Sequence, residues 1–110
     1  MNICSKAVSI FFATMMVPLV AVAEPTSEAV SIISLRPYIG SNVVFVYTTT
    51  SLCANPFYSI DLSSNGGKGA YAAALSALAA GKMVKLEILA AGCNTGPSGS
   101  TVVQSLYISQ

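Results

Sequence analysis

The residues of this chain that could do chemistry are few and lie far apart in the sequence. There is no histidine, and the four acidic residues are scattered: Glu24, Glu28, Asp61 and Glu87. General acid–base and nucleophilic catalysis need a partner group held beside the reacting side chain. No serine stands in a Gly-x-Ser-x-Gly pattern. The sequence therefore predicts a protein that is not an enzyme, with no catalytic residues and no cofactor.

One glycine-rich turn, Gly66-Gly67-Lys68-Gly69, comes directly before a predicted helix. Backbone N–H groups at such a turn can bind a phosphate. The segment lacks the spacing of a phosphate-binding P-loop. The sequence therefore favours an ordinary helix start over a phosphate site.

The cysteines predict a disulfide. Cys53 and Cys93 remain as an even pair once the N-terminal segment with Cys4 is set aside, and such pairs in exported proteins are normally oxidised. A metal or thiol-redox pair is the alternative, but the chain has neither histidine nor a Cys-x-x-Cys motif. We expect a Cys53–Cys93 bridge and no metal site.

The N-terminal segment has the pattern of a secretory signal peptide. One lysine precedes an apolar run, Ala7–Val22, and the segment closes on an Ala-Val-Ala tripeptide. The run is shorter than the roughly 20 residues of a membrane-spanning helix and contains a proline. We expect cleavage of residues 1–23, one domain at 24–110 with no membrane span, and a secreted or periplasmic location. A retained N-terminal anchor is the alternative.

The charge of the predicted mature chain is balanced. Without Lys6, four basic residues stand against the four acidic ones: Arg36, Lys68, Lys82 and Lys85. A nucleic-acid-binding surface needs clustered Lys and Arg, so we expect no nucleic-acid partner. A near-neutral surface favours self-association, which is consistent with a homo-oligomer.

The order of the predicted elements indicates the fold. Runs of β-branched and aromatic residues predict five strands, and an alanine-rich run that ends at Gly81 predicts one helix. The strands are expected at 29–38, 43–50, 57–62, 82–90 and 100–108, the helix at 68–80, and a loose lead-in at 24–28. This order matches a mostly β, five-stranded Greek-key barrel of the OB-fold type; an α+β sandwich is the alternative. The helix carries one apolar stripe, Tyr71, Ala74, Leu75 and Leu78, and we expect it to close the open end of the barrel through Tyr71, Leu75 and Leu78.

The helix and the last two strands resemble a known family. A helix ending in Ala-x-Gly-Lys, an immediate strand, a cysteine in a glycine-rich loop and a final Val-x-Ser-x-Tyr-Ile strand look like small secreted bacterial B subunits of the subtilase-cytotoxin and typhoid-toxin type. The resemblance covers most of residues 30–108, although the cysteines are placed differently. It implies an OB-fold, a pentameric ring, and binding of sialylated glycans through a serine near the start of the second strand. Ser41 is the best match to that serine.

Two functions from different classes follow. A sugar site needs an aromatic surface for the apolar side of the ring and fixed polar groups for its hydroxyls. The candidate ligand-binding residues are Tyr38, Ser41 and Asn42, with Tyr47 or Tyr58 nearby. The first prediction is therefore a glycan-binding domain. The alternative is a periplasmic or surface module for protein interaction or structure, in which the tyrosines fill the barrel and Ser41-Asn42 is only a turn.

Overall fold

The computed structural model of the chain describes residues 25–109. The predicted signal peptide at residues 1–23 lies outside this range. The described part contains five strands, one α-helix and a short 3-10 turn. In chain order they are β1 (Val30–Pro37), β2 (Val43–Thr48), β3 (Phe57–Asp61), α1 (Asn65–Ala80), β4 (Met83–Ile88), the 3-10 turn (Pro97–Gly99) and β5 (Thr101–Ser109).

The strands close into a barrel in the order β1-β2-β3-β5-β4. Neighbouring strands are antiparallel except β3 and β5, which pair in parallel through Tyr58 with Thr101 and Ser59 with Val102. The prediction of a mostly β, five-stranded barrel with one helix between the third and fourth strands is confirmed.

The period-2 alternation of the strands places their apolar residues inside the barrel. On β4, Val84 and Leu86 are fully buried and Ile88 is 1% exposed, whereas Lys85 and Glu87 point outwards, as the sequence predicts. The core is otherwise built from β1, β2, β3 and two alanines of α1: Val30, Ile32, Val44, Val46, Tyr58, Ile60, Ala74 and Ala77. Apolar burial of this kind is the main stabilising term for a small domain.

Helix α1 begins and ends at the residues that its capping chemistry requires. The Ser64 hydroxyl accepts a hydrogen bond from the Gly67 N–H at 3.0 Å, and the helix starts at Asn65, three residues before the predicted start. A Cβ at Gly67 would overlap the carbonyl oxygen of Asp61, so glycine is required there. Gly81 ends the helix in the left-handed conformation, as predicted. Within residues 25–109, no helix is long and apolar enough to cross a membrane.

The face of α1 that packs on the barrel differs from the prediction. Ala74 and Ala77 are fully buried, whereas Leu75 is 44% exposed and Leu78 is 38% exposed. The predicted closure of the barrel by Tyr71, Leu75 and Leu78 is therefore wrong: of the three, only Tyr71 is half-buried against the core. Small alanine side chains let the helix approach the strands closely, and successive helical residues are about 100° apart. Burying Ala74 thus turns the next side chain away.

The lead-in at residues 25–28 is also more ordered than predicted. The Ser27 N–H donates to the Leu86 carbonyl at 2.8 Å, and the Leu86 N–H donates to the Ser27 hydroxyl at 2.9 Å. The Ile88 N–H donates to the Pro25 carbonyl at 3.0 Å. Strand β1 reaches only the start of β4, so buried N–H groups further along β4 need another partner. The lead-in supplies it.

Candidate functional site

A cleft of about 370 Å³ opens on the outside of the barrel, between the β1–β2 turn and the β4–β5 loop. We call it the turn–loop groove. Its lining residues are Tyr38, Ile39 and Ser41 from the turn, Val43 and Phe45 from β2, and Pro97 and Ser98 from the loop. The volume falls at the lower end of the range of small-molecule sites. In five-stranded barrels of the OB type, this same region binds oligonucleotides and oligosaccharides.

The β1–β2 turn fixes one wall of the groove. The Ser41 N–H donates to the Tyr38 carbonyl at 3.3 Å, and Gly40, between them, has φ +85°. A positive φ at the third position of a β-turn requires glycine or a residue that tolerates it. The Tyr38 N–H in turn donates to the Val43 carbonyl at 3.3 Å, which closes the hairpin. The turn therefore presents the side chains of Tyr38 and Ser41 to the groove and leaves Ile39 fully exposed.

A row of four aromatic rings begins at this wall, and its first two members, Tyr38 and Phe45, line the groove. The Phe45 ring lies edge-on to Tyr38, with centroids 5.4 Å apart, and edge-on to Phe57 at 5.5 Å. Tyr47 stacks on Phe57 with centroids 5.7 Å apart. Phe45 is only 7% exposed although it lies outside the core cluster, because rings and the groove walls cover it. Mutual packing of this kind holds the rings in place before any ligand arrives.

The electrostatics of the groove are nearly neutral. Its seven lining residues carry no formal charge. The Arg36 guanidinium lies 5.0 Å from the ring centroid of Tyr38, a cation–π contact that places one positive charge beside the turn. The groove can thus offer hydroxyls, aromatic surface and one adjacent cation.

Only some of the predicted ligand residues line the groove. Tyr38 and Ser41 line the groove together, whereas Asn42 does not line it: its backbone carbonyl accepts a hydrogen bond from the Leu62 N–H at 2.8 Å. Tyr58 is fully buried in the barrel, and its hydroxyl accepts from the Leu52 N–H at 2.9 Å. Tyr58 is therefore a core residue, and Tyr47 is half-buried in the aromatic row.

The far wall of the groove was missed by the sequence reasoning. Pro97 and Ser98 come from a loop that is distant in sequence from the β1–β2 turn. The predicted disulfide is confirmed and ties this loop down: Cys53 in the β2–β3 loop bonds to Cys93, with Cα atoms 5.4 Å apart. The only sequence signal for this wall is the turn-forming run Gly96-Pro97-Ser98-Gly99.

A second cleft at the start of α1 contains the glycine-rich turn and Asp61. The backbone N–H and then the hydroxyl of Ser63 donate to the Asp61 carboxylate and hold its pKa below the usual 3.8. An ionised carboxylate here opposes an anion, and the Gly67 N–H already donates to Ser64. The geometry thus fits the helix-start interpretation. Within residues 25–109, no three His, Cys, Asp or Glu side chains group closely enough to hold a metal.

Comparison of the chain with protein-family models, with curated proteins and with solved structures finds no match.

Proposed function

We propose that this protein is an exported, non-enzymatic domain of the OB-fold type that binds glycans in the turn–loop groove, similar to the toxin B subunits that its sequence resembles. One observation carries the proposal. Tyr38 and Ser41, which the sequence singles out as ligand residues, lie in one preformed groove at the position where OB-type barrels bind oligosaccharides.

The chemistry of the groove supports a sugar as the ligand. A sugar ring has an apolar side that packs on aromatic surface and hydroxyls that need hydrogen-bond partners. Tyr38, which is 42% exposed and packs on the covered Phe45 ring, supplies the surface, and the Ser41 hydroxyl can both donate and accept. The aromatic row keeps these rings in place, so little conformational entropy is lost on binding.

Export is the second part of the proposal. The N-terminal pattern of residues 1–23 and the Cys53–Cys93 bridge both support an oxidising compartment, the periplasm or the cell exterior. N-terminal sequencing of the protein from an exporting cell should begin at Glu24. An intact Met1 on the soluble protein would refute the assignment of a cleaved signal.

The experiment that tests glycan binding is calorimetric titration with sialyllactose and with lactose. Ser41→Ala removes one polar contact and should weaken binding by about 3- to 100-fold, the larger figure applying if the hydroxyl contacts a carboxylate. Folding should not change, because the residue is exposed in a turn. Ser76→Ala, an exposed serine on α1 outside the groove, is the matched control and should bind as the wild type does. If the wild type binds neither oligosaccharide, a screen on a glycan array decides whether any sugar binds.

A protein-interaction module is the second candidate, and one surface favours it. Strands β1, β4 and β5 carry five exposed large apolar side chains: Ile33 at 62%, Met83 at 42%, Tyr107 at 47%, Ile108 at 42% and Val102 at 36% exposed. Apolar surface of this kind marks protein contacts. In the glycan-binding proposal the same surface would join copies of the chain into the pentameric ring that the resemblance implies. Native mass spectrometry separates the two: a homo-oligomer that binds sugar supports the first function, and a monomer that binds none supports the second.

A further inference from the structure

We propose that Ser98 is the second ligand-binding hydroxyl of the turn–loop groove and that Asn55 is the residue that positions it. This inference rests on the proposed glycan-binding function, because it assigns the wall that faces Ser41. Neither residue was a candidate from the sequence.

Ser98 has an unusual backbone for its residue type. Its φ is 55° and its ψ is 27°, the left-handed region, and it is exposed where it lines the groove. Non-glycine residues adopt this conformation rarely, and it persists only where the surroundings impose it. Such residues concentrate at binding sites. Glycine would adopt this backbone conformation without strain. We therefore infer that the serine side chain has a role in the groove.

Asn55 is the residue that reaches across to this wall. Its side-chain Nδ2 donates to the Gly99 carbonyl at 2.9 Å, directly after Ser98. Its backbone N–H donates to the Asn94 side-chain Oδ1 at 3.1 Å, at the other end of the loop. A Cβ on Gly99 would lie 2.9 Å from the Asn55 Nδ2 atom, so the amide packs tightly against the loop backbone. One residue of the β2–β3 loop thus connects the disulfide end of the β4–β5 loop, through its backbone N–H, to the groove wall, through its side-chain amide.

The rest of the wall is closed by its own hydrogen bonds. The Gly99 N–H donates to the Gly96 carbonyl at 3.1 Å, and the Ser100 N–H donates to the Pro97 carbonyl at 3.0 Å. The Ser100 hydroxyl, fully buried, donates to the Ser59 hydroxyl of β3 at 2.8 Å. These bonds fix the backbone on both sides of Ser98, and none of them uses its hydroxyl. The two groove hydroxyls, Ser41 and Ser98, therefore stand on separate loops that are each held by the barrel.

The ligand class follows from this arrangement. Uncharged walls that each carry a hydroxyl, together with the aromatic surface of Tyr38, suit a saccharide end with hydrogen-bonding groups on both sides of its ring. Two contacts from opposite walls fix the orientation of such a ligand, which a single serine cannot do. Ser98 is thus a specificity-determining residue as well as a binding one.

The test of Ser98 is Ser98→Gly, which removes the hydroxyl and keeps a residue suited to positive φ. Calorimetric titration with sialyllactose and lactose should give binding about 3- to 10-fold weaker than wild type. The melting temperature should not fall. If Ser41→Ala weakens binding and Ser98→Gly does not, the inference is overturned and glycan binding stands. If the wild type binds neither these probes nor a glycan array, both are overturned.

The positioning role of Asn55 is tested by a measurement that a general loss of stability would not change, the dependence of its effect on Ser98. Asn55→Asp keeps the shape and removes the amide donor to the Gly99 carbonyl; Asn55→Ala serves if that variant does not fold. Either should weaken binding about 3- to 10-fold in the wild-type background and hardly at all in Ser98→Gly. Equal losses in both backgrounds would overturn the positioning role.

Discussion

A matched pair of substitutions on α1, Ala74→Asp and Leu75→Asp, tests which helix face packs on the barrel. Both introduce the same carboxylate at adjacent positions in the middle of one helix. The structure buries Ala74 completely and leaves Leu75 44% exposed, so the two substitutions should differ sharply in their effect. The sequence pattern alone places both residues on the packed stripe, so it predicts that Leu75→Asp also unfolds the domain.

The expected magnitudes follow from the exposures. Complete burial of a leucine stabilises by about 1.5–3 kcal/mol, so a side chain that is roughly half-buried loses about 1–1.5 kcal/mol on removal. The lower helix propensity of aspartate adds about 0.5 kcal/mol. Leu75→Asp should therefore cost about 1.5–2 kcal/mol. Ala74→Asp places a carboxylate against the core, which costs several kcal/mol, a large fraction of the 5–15 kcal/mol that is typical of a whole domain.

The assay is urea unfolding followed by circular dichroism for both variants and the wild type. Leu75→Asp should unfold cooperatively with a reduced midpoint, and Ala74→Asp should be unfolded or nearly so without denaturant. Ala74→Gly is a useful third variant, since it removes one methyl group and adds no charge. A stable Ala74→Asp beside an unfolded Leu75→Asp would refute the packing described for α1.

The remaining predictions concern the disulfide and one carboxylate. The Cys53–Cys93 bridge closes a separation of 40 residues, which corresponds to about 4 kcal/mol in the chain-entropy model; Cys53→Ser should lower the unfolding free energy by about 2–5 kcal/mol, and reductant should bring the wild type to the same value. Because the pKa of Asp61 is lowered in the folded state, its contribution to stability is present above pH 3.8 and is lost as the pH falls through the folded pKa. Asp61→Asn should remove this part of the acid dependence of the melting temperature, and an unchanged pH profile would contradict the assignment.

The strands and helix ends could be predicted from the sequence because their signals are local. Period-2 alternation identified the buried side of β4, and Ser64 and Gly81 carry the capping chemistry that begins and ends α1. The face of α1 could not be predicted in the same way. An alanine-rich helix has apolar residues all round, so the predicted stripe combined Ala74, which is buried, with Leu75 and Leu78, which are exposed. The helix lies so close to the strands that small alanine side chains, not leucines, face the barrel. This helix–strand distance depends on tertiary packing and cannot be derived from a local pattern.

The residues of the groove also differ in whether a local sequence signal predicts them. Tyr38 and Ser41 could be predicted from the sequence because a glycine-containing turn follows a strand. Such a turn places both residues at one corner, independently of the rest of the chain. Ser98 could not be predicted in this way, because its place in the same groove as Ser41 depends on barrel closure, on the disulfide and on Asn55 together. No local pattern encodes three long-range constraints. The left-handed backbone of Ser98, which Asn94 of the same loop shares, is visible only in the folded chain.

The charge around the groove determines what its ligand selectivity can depend on. Seven uncharged lining residues cannot separate a sialylated sugar from a neutral one by charge, so shape and hydrogen bonds must select the ring itself. Arg36, held over the Tyr38 ring at 5.0 Å, is the cation that could contact a sugar carboxylate at the turn, where guanidinium–carboxylate pairing is strong. A preference for sialyllactose over lactose would therefore depend on Arg36, whereas binding of both would depend on the two serines. Equal affinity for the two oligosaccharides would show that Arg36 makes no net contact with the sugar carboxylate.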